Sequence, residues 1–208
     1  MSKYKNLLEA PPEVIARYYT IKYARHVASA ARRYSRVKLT IKERKKNRAL
    51  RNALETCKEE AGRANQKGNE CIQVLMNMAL FFLIAENDIQ AVKIDALTHP
   101  NGWKRKLSLR VILLTIYEWD MGKVGGKDLR NLLDQSSVPV HLQDELFDSL
   151  RHLKKAQRKA ARQLHEPRNS VIAHRDADAL TQARVIEQLN AQEVIGAAEE
   201  FYAAADGF

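Results

Sequence analysis

The stretch IQVLMNMALFFLIA, residues 72 to 85, is the most apolar run of the sequence. A helix needs about 20 mostly apolar residues to cross a bilayer, whereas this run is shorter and contains Gln73 and Asn77. We therefore expect it to be a buried core helix, within a helix of roughly residues 69 to 86.

Apolar residues at helical spacing continue after this run. The segment KRKLSLRVILLTIYEW, residues 104 to 119, predicts a second strong helix with a buried stripe of Leu109, Ile112, Leu113, Ile116 and Tyr117. A short helix of about residues 127 to 134 follows, and then a long polar helix of about 141 to 165, whose inner face is Leu142, Leu146, Leu150, Leu153 and Ala156 or Gln157. Because no segment reads convincingly as a strand, we predict an all-α fold, an up-and-down bundle with appended helices.

The positive charge of the chain is concentrated near its N-terminus. The 208 residues carry a formal net charge of +10. Residues 22 to 51 contain twelve Lys or Arg and one acid, Glu43, which gives 12 − 1 = +11. The rest of the chain then sums to −1, which indicates a nearly neutral body with a basic extension. Such a charge favours a polyanionic partner.

The N-terminal region is expected to contain two helices. Pro11, Pro12 and Glu13 are typical of a helix start, and Thr40 with Glu43 resembles a capping box that opens a second helix. A break at about residues 65 to 69 separates this region from the core. The predicted division is a basic helical extension, residues 1 to 66, and a helical domain, residues 67 to 208.

The basic extension is a candidate RNA-binding surface. A charge run of this kind is usually only a solvated helix face, but here it spans two predicted helices, which favours phosphate binding. The candidate RNA-binding residues are Arg33, Arg36, Lys42, Arg44, Lys45, Lys46 and Arg48.

A second candidate site is the stretch EPRNSVIAHRD, residues 166 to 176. Pro167 ends the long polar helix and suits the first turn of the next. Arg168 and Asn169 would then lie at a helix N-terminus, where anions are favoured. His174 follows six residues after Arg168, so the two directions differ by about 120° around a helix. This spacing permits a shared site without requiring one.

The order Arg168-Asn169-Ser170-Val171-Ile172-Ala173-His174, late in an all-α chain, resembles the Arg-x(4–6)-His signature of the HEPN superfamily. The wider form RNSVIAHRD and a final helix containing QEVIGAAEEFY resemble its abortive-infection, toxin-like branch. The resemblance covers about residues 69 to 205 and implies a HEPN-like antiparallel helical bundle.

The resemblance also implies metal-independent cleavage of RNA, with Arg168, His174 and Asn169 as the catalytic residues. Histidine moves protons near pH 7 and arginine stabilises charge on phosphorus. Asn169 would either bind phosphate or cap the helix. Because one motif supplies only one histidine, a homodimer with a composite active site is expected. Since the activity would be harmful, it would be restrained by an antitoxin or regulatory protein, by a trigger, or by an inactive assembly.

Two other functions fit the same sequence. The chain could be a HEPN-like module that binds RNA or protein without cutting, or a basic helical protein that binds nucleic acid through residues 22 to 51. Cys57 and Cys71 belong to no CxxC or Cys/His cluster, so no metal or cofactor is expected. The N-terminus lacks the apolar region of a signal peptide, and a cytoplasmic protein with no membrane partner is predicted.

Overall fold

The computed structural model describes residues 11 to 120, residue 122, residues 129 to 163 and residues 178 to 204. In these residues it has helices and no strand, which confirms the all-α prediction. The helices are α1 (Pro12–Gln66), α2 (Glu70–Thr98), α3 (Gly102–Glu118), α4 (Leu129–Gln135), α5 (Val140–Gln163), α6 (Ala179–Gln188) and α7 (Ala191–Ala203).

The N-terminal region is one helix of 55 residues, so the prediction of two helices was wrong. Thr40 does not cap a helix; its hydroxyl donates a hydrogen bond of 2.8 Å to the carbonyl of Arg36, one turn earlier. The chain has no proline between Glu13 and Gln66, and its one glycine there, Gly62, lies inside the helix. Nothing in the local sequence therefore breaks the helix.

Helices α1 and α2 form an antiparallel hairpin. The turn uses Gly68, whose φ of 65° favours glycine, and Asn69, whose side chain accepts a hydrogen bond of 3.1 Å from the Ile72 amide. At the far end, Arg36 forms an ion pair of 2.8 Å with Asp95. Since α2 ends at Thr98, the first part of α1 has no α2 beside it, and no residue from Pro12 to Ala31 is buried.

The main core lies among α2, α3, α5 and α7. Its centre is an aromatic cluster in which the Trp119 ring is 5.2 Å from Phe201 and 6.1 Å from Phe82. The predicted stripe of α3 is confirmed: Leu109, Ile112, Leu113 and Ile116 are at most 1% exposed, with Tyr117 half-buried. The predicted final helix corresponds to α7.

Two predicted features needed correction. Helix α2 extends to Thr98 rather than about residue 86, because buried positions continue through Ile89 and Ala96. Leu142, expected on the inner face of α5, is exposed. Gln143 is buried in its place, since its side-chain amide donates to Asp134 Oδ1 at 2.9 Å and to the Val138 carbonyl at 3.0 Å, closing the turn before α5.

Helix α2 is long and apolar enough to cross a membrane by length and composition, with a mean hydropathy of 1.4 over its most apolar window. It contacts α1, α3, α4 and α7, and its charged residues Glu86 and Asp95 pair with cations of α1. Within residues 72 to 85, however, only Met78 and Ala85 are buried, so the prediction of a buried core helix was correct only in part. The predicted compartment remains a prediction.

In addition to the packing of α7 in the main core, the last two helices are fixed by capping at the start of α6 and by one lysine of α3. Asp178 Oδ1 accepts a hydrogen bond of 2.9 Å from the Leu180 amide at the start of α6. Lys106 donates to the carbonyls of Glu187, at 2.8 Å, and of Leu189. Burial, followed by the neighbouring charge of Arg105, lowers the pKa of Lys106. This ammonium therefore ties α3 to the turn between α6 and α7.

Candidate nucleic-acid interface

The predicted catalytic residues Arg168, Asn169 and His174 lie outside the described residues. The described chain leaves α5 at Gln163 and resumes at Asp178, the cap of α6. Both flanks of the motif are thus fixed in the bundle, α5 by its contacts with α3 and α7 and α6 through the Lys106 contacts.

The seven predicted RNA-binding residues all lie on α1, but they do not form one surface. Arg36 pairs with Asp95 at 2.8 Å. Lys46 pairs with Glu86 at 2.9 Å and lies 5.5 Å from the centre of the Tyr202 ring. These two cations hold α1 against α2 and α7, so their charge is already partnered.

Lys42 lies at a cavity of about 340 Å³ between α1, α2 and α7. Lys46 and Lys93 also line this cavity, but so do two acids, Glu43 and Glu199. Lys93 Nζ is 3.5 Å from Glu43 Oε1 and 3.8 Å from Glu199 Oε1. Positive and negative charges therefore offset each other here, and the cavity is a poor match to a phosphate.

The remaining four residues, Arg33, Arg44, Lys45 and Arg48, are exposed and form no ion pair with any residue in the described part of the chain. At about 100° per residue, however, their directions spread over roughly 120° of the helix surface. They are also spread over about 22 Å along the helix axis. The α1 surface is strongly positive, but these four accessible cations are far apart on it.

A second basic surface, absent from the predicted sites, lies on α5. Residues 151 to 162 contain six cations and no acid. The cations are spaced at i, i+3, i+4, i+7, i+8 and i+11, which places all of them on one helix face. They are Arg151, Lys154, Lys155, Arg158, Lys159 and Arg162, and we call them the six-cation face.

All six side chains of the six-cation face are exposed and line one surface groove along α5. Arg151 pairs with Asp148, and Lys159 pairs with Glu200 at 2.7 Å. Lys154, Lys155, Arg158 and Arg162 have no acidic partner among the described residues. These four cations lie within about 12 Å along the helix axis, with no acidic partner among the described residues, so their charge is denser than that of the α1 cations and suits a polyanion better.

The rotation of α5 about its axis is fixed by the opposite face. Leu153 and Ala160 are buried in the main core. The side-chain amide of Gln157 donates to the carbonyl of Ile116 at 3.0 Å and to that of Trp119. The Tyr117 hydroxyl donates to the Ala161 carbonyl at 2.5 Å. These contacts with α3 keep the six-cation face towards solvent.

The spacing of these cations is visible in the sequence, but the net charge of the residues outside 22 to 51 gave no indication of them. Outside residues 22 to 51 the chain sums to −1, although residues 151 to 162 alone carry +6. The charge on one face of the predicted helix, rather than the net charge of a whole region, indicates the six-cation face.

Within the described ranges, no three His, Cys, Asp or Glu side chains lie close enough to hold a metal ion. Compared with protein-family models, with curated proteins and with solved structures, the chain matches none. The HEPN resemblance of Arg168 to His174 therefore stays a prediction.

Proposed function

We propose that this protein is a metal-independent endoribonuclease of the HEPN type, which binds RNA on the six-cation face and cuts it at the motif of Arg168, Asn169 and His174. The observation that carries the proposal is the continuity of the two parts. The six-cation face occupies the last three turns of α5, and the motif begins five residues after Gln163.

The chemistry assigns a task to each motif residue. The 2′-oxygen of the RNA attacks the adjacent phosphorus, and the bond from phosphorus to the 5′-oxygen breaks. The products are a 2′,3′-cyclic phosphate and a 5′-hydroxyl. His174 moves a proton in this step, because its ordinary pKa lies near neutrality. Arg168 donates hydrogen bonds to the phosphate oxygens as negative charge accumulates.

A single histidine can act as base or as acid, but transphosphorylation benefits from both. We therefore include a homodimer in the proposal, with His174 of each protomer in one composite cleft. An antitoxin or regulatory protein would restrain such an activity, which would act in defence against phage or as a toxin.

The test is cleavage of end-labelled tRNA and mRNA in EDTA by the full chain, by His174→Ala and by Arg168→Ala. We expect cyclic phosphate ends from the wild type and a loss of at least about 100-fold in both variants. Light scattering on each variant separates loss of chemistry from loss of the dimer. Cleavage that survives His174→Ala would contradict the assignment.

A second assay isolates the binding surface. Lys155→Glu combined with Arg158→Glu should abolish RNA binding and cleavage together. The matched control is Lys67→Glu combined with Lys104→Glu, which changes the charge equally at two exposed sites elsewhere. Equal losses in both pairs would mean that net charge alone drives binding.

A non-catalytic RNA-binding protein is the second candidate, because the six-cation face requires no motif residue to bind phosphate. This function predicts binding that depends on Lys155 and Arg158, no cleavage of any RNA by an intact dimer, and no effect of His174→Ala.

A further inference from the structure

Helix α1 carries a second apolar seam on its solvent side. Its members alternate at spacings of four and three residues, which is the pattern of a helix that packs against another helix. They are Tyr23, Val27, Ala30, Tyr34, Val37 and Ile41. The five larger side chains, all except Ala30, are between 58% and 70% exposed, so together they form a continuous exposed apolar stripe. We call these six residues the outer seam.

The outer seam points away from α2. Leu39, Glu43 and Leu50 mark the side of α1 that contacts the bundle, and at about 100° per residue the seam lies roughly 180° from them. At about 1.5 Å per residue it is about 27 Å long. No described helix covers it, so among the described residues α1 packs on one side only and leaves the outer seam exposed.

The edges of the outer seam are cationic. Lys38 and Lys45 flank it on one edge and Arg33 on the other, and the next two seam positions are Arg44 and Arg48. Between Glu13 and Glu55 the only acid of α1 is Glu43. That residue is buried on the opposite side and pairs with Lys93 at 3.5 Å. The outer seam is therefore complementary to an apolar stripe that is bordered by negative charge.

We propose that the outer seam binds an acidic amphipathic helix of a partner protein. The apolar stripe of that helix would cover Val27, Tyr34, Val37 and their neighbours, and its Glu and Asp residues would pair with Arg33, Lys38 and Lys45. This interaction is independent of the nuclease chemistry and of the six-cation face.

Two other occupants fit less well. A second copy of α1 in either orientation would bring cationic edges together, and like charges across a helix pair are destabilising. Single-stranded RNA stacks on aromatic rings, but the outer seam has only two tyrosines, eleven residues apart, with aliphatic side chains between and beyond them. An aliphatic seam with helical periodicity matches a helix.

The probe is a synthetic peptide of about four heptads with Leu at positions a and d and Glu at positions e and g. Binding to the full chain is measured by fluorescence anisotropy at physiological salt. One control peptide keeps every Glu and replaces Leu by Ser, and a second keeps Leu and replaces Glu by Lys. We expect only the first peptide to bind.

The protein variant is Val27→Gln combined with Val37→Gln, which keeps charge and helix propensity. It should weaken peptide binding about tenfold or more. Ile84→Gln, at an equally apolar and 52% exposed position of α2, is the matched control and should bind normally.

Four results would overturn the proposal. They are no binding of the acidic peptide, equal binding of the Glu/Ser peptide, a wild-type dimer that Val27→Gln with Val37→Gln dissociates, and RNA binding that the same variant abolishes. The third would assign the seam to a second copy and the fourth to RNA. The first two results leave the nuclease proposal untouched. The third and fourth would change where its dimer contact or its RNA surface lies, but the loss of cleavage in His174→Ala is tested separately, so the two proposals can be told apart.

Discussion

The basic regions of α1 and α5 differ in how their charge is arranged. The α1 region has more cations, but they surround the helix, and Arg36 and Lys46 are engaged by acids of α2. The α5 region has six cations on one face, four of them without an acidic partner in the described chain. The number of charged residues in a segment therefore does not give the charge that a ligand can contact.

The two helices also differ in how they are held. Helix α5 buries Leu153 and Ala160 in the main core and contacts α3 and α7. Helix α1 packs only through its second half, where Leu50 and Ala64 are buried against α2, and its first twenty residues bury nothing. In the proposed function, the surface that holds RNA near the reaction needs a rigid support, and the contacts of α5 with α3 and α7 would supply it.

The largest effect is expected from deleting parts of α1. Removing residues 1 to 65 would expose the apolar side of α2 that α1 covers, so the chain should aggregate or lose its cooperative thermal transition. Removing residues 1 to 31 should move the unfolding midpoint by less than about 4 °C, because no residue from Pro12 to Ala31 is buried. Circular dichroism during heating measures both. A folded chain without residues 1 to 65 would show that α1 is a separate appendage.

A smaller effect is expected from two buried leucines, one beneath each basic surface. Leu153→Ala should lower the free energy of unfolding by about 2–5 kcal/mol, since Leu153 is 1% exposed in the main core. Leu50→Ala should cost less, because Leu50 is 5% exposed and lies outside the main core, on a helix that packs mainly on α2. Urea unfolding of both variants provides the comparison. An equal or larger loss for Leu50→Ala would mean that α1 is held as firmly as α5.

The sequence predicted the all-α class and the buried stripe of α3, because the apolar spacing from Leu109 to Ile116 survives in the buried positions. Thr40 and Glu43 led to the wrong prediction of a second helix start, since a capping pair can also occur inside a helix when no proline or glycine breaks the helix there. The sequence does not show that Gln143, rather than Leu142, would be buried. The burial of the Gln143 amide is explained only by its carbonyl and carboxylate partners in the preceding turn.

The candidate site was predicted less completely. In the sequence Arg36 does not differ from its basic neighbours. It is distinguished only by its ion pair with Asp95 of α2, nearly 60 residues later. Pairing across the hairpin depends on the register of α1 on α2, which local pattern does not specify. The six-cation face, in contrast, depends only on helical periodicity and was within reach of sequence reasoning.

The third prediction separates the two basic surfaces by RNA affinity. Changing Lys154, Lys155, Arg158 and Arg162 to Gln should weaken binding of single-stranded RNA about 100-fold at physiological salt. It should also reduce the slope of log affinity against log salt by about three, since each phosphate contact contributes about 0.7. Filter binding over a salt series measures both quantities.

The matched control for this experiment changes Arg33, Arg44, Lys45 and Arg48 of α1 to Gln, with the same loss of four charges. We expect a loss of less than about tenfold, because these cations are spread over about 22 Å of the helix axis, against about 12 Å for the four cations of α5. A larger loss from the α1 variant than from the α5 variant would reverse the comparison and return the RNA interface to the N-terminal helix.

The smallest effect concerns the ion pair between Arg36 and Asp95. The charged atoms are 2.8 Å apart, but both side chains are more than 40% exposed, and no donor among the described residues is aligned with Asp95 Oδ1. A double-mutant cycle with Arg36→Gln and Asp95→Asn should therefore give a coupling of less than about 1 kcal/mol. Arg36→Gln should also change RNA affinity less than Arg44→Gln, because Asp95 offsets the charge of Arg36. If both changes weaken RNA binding equally, the pair opens when RNA arrives, and Arg36 belongs to the same accessible surface as Arg44.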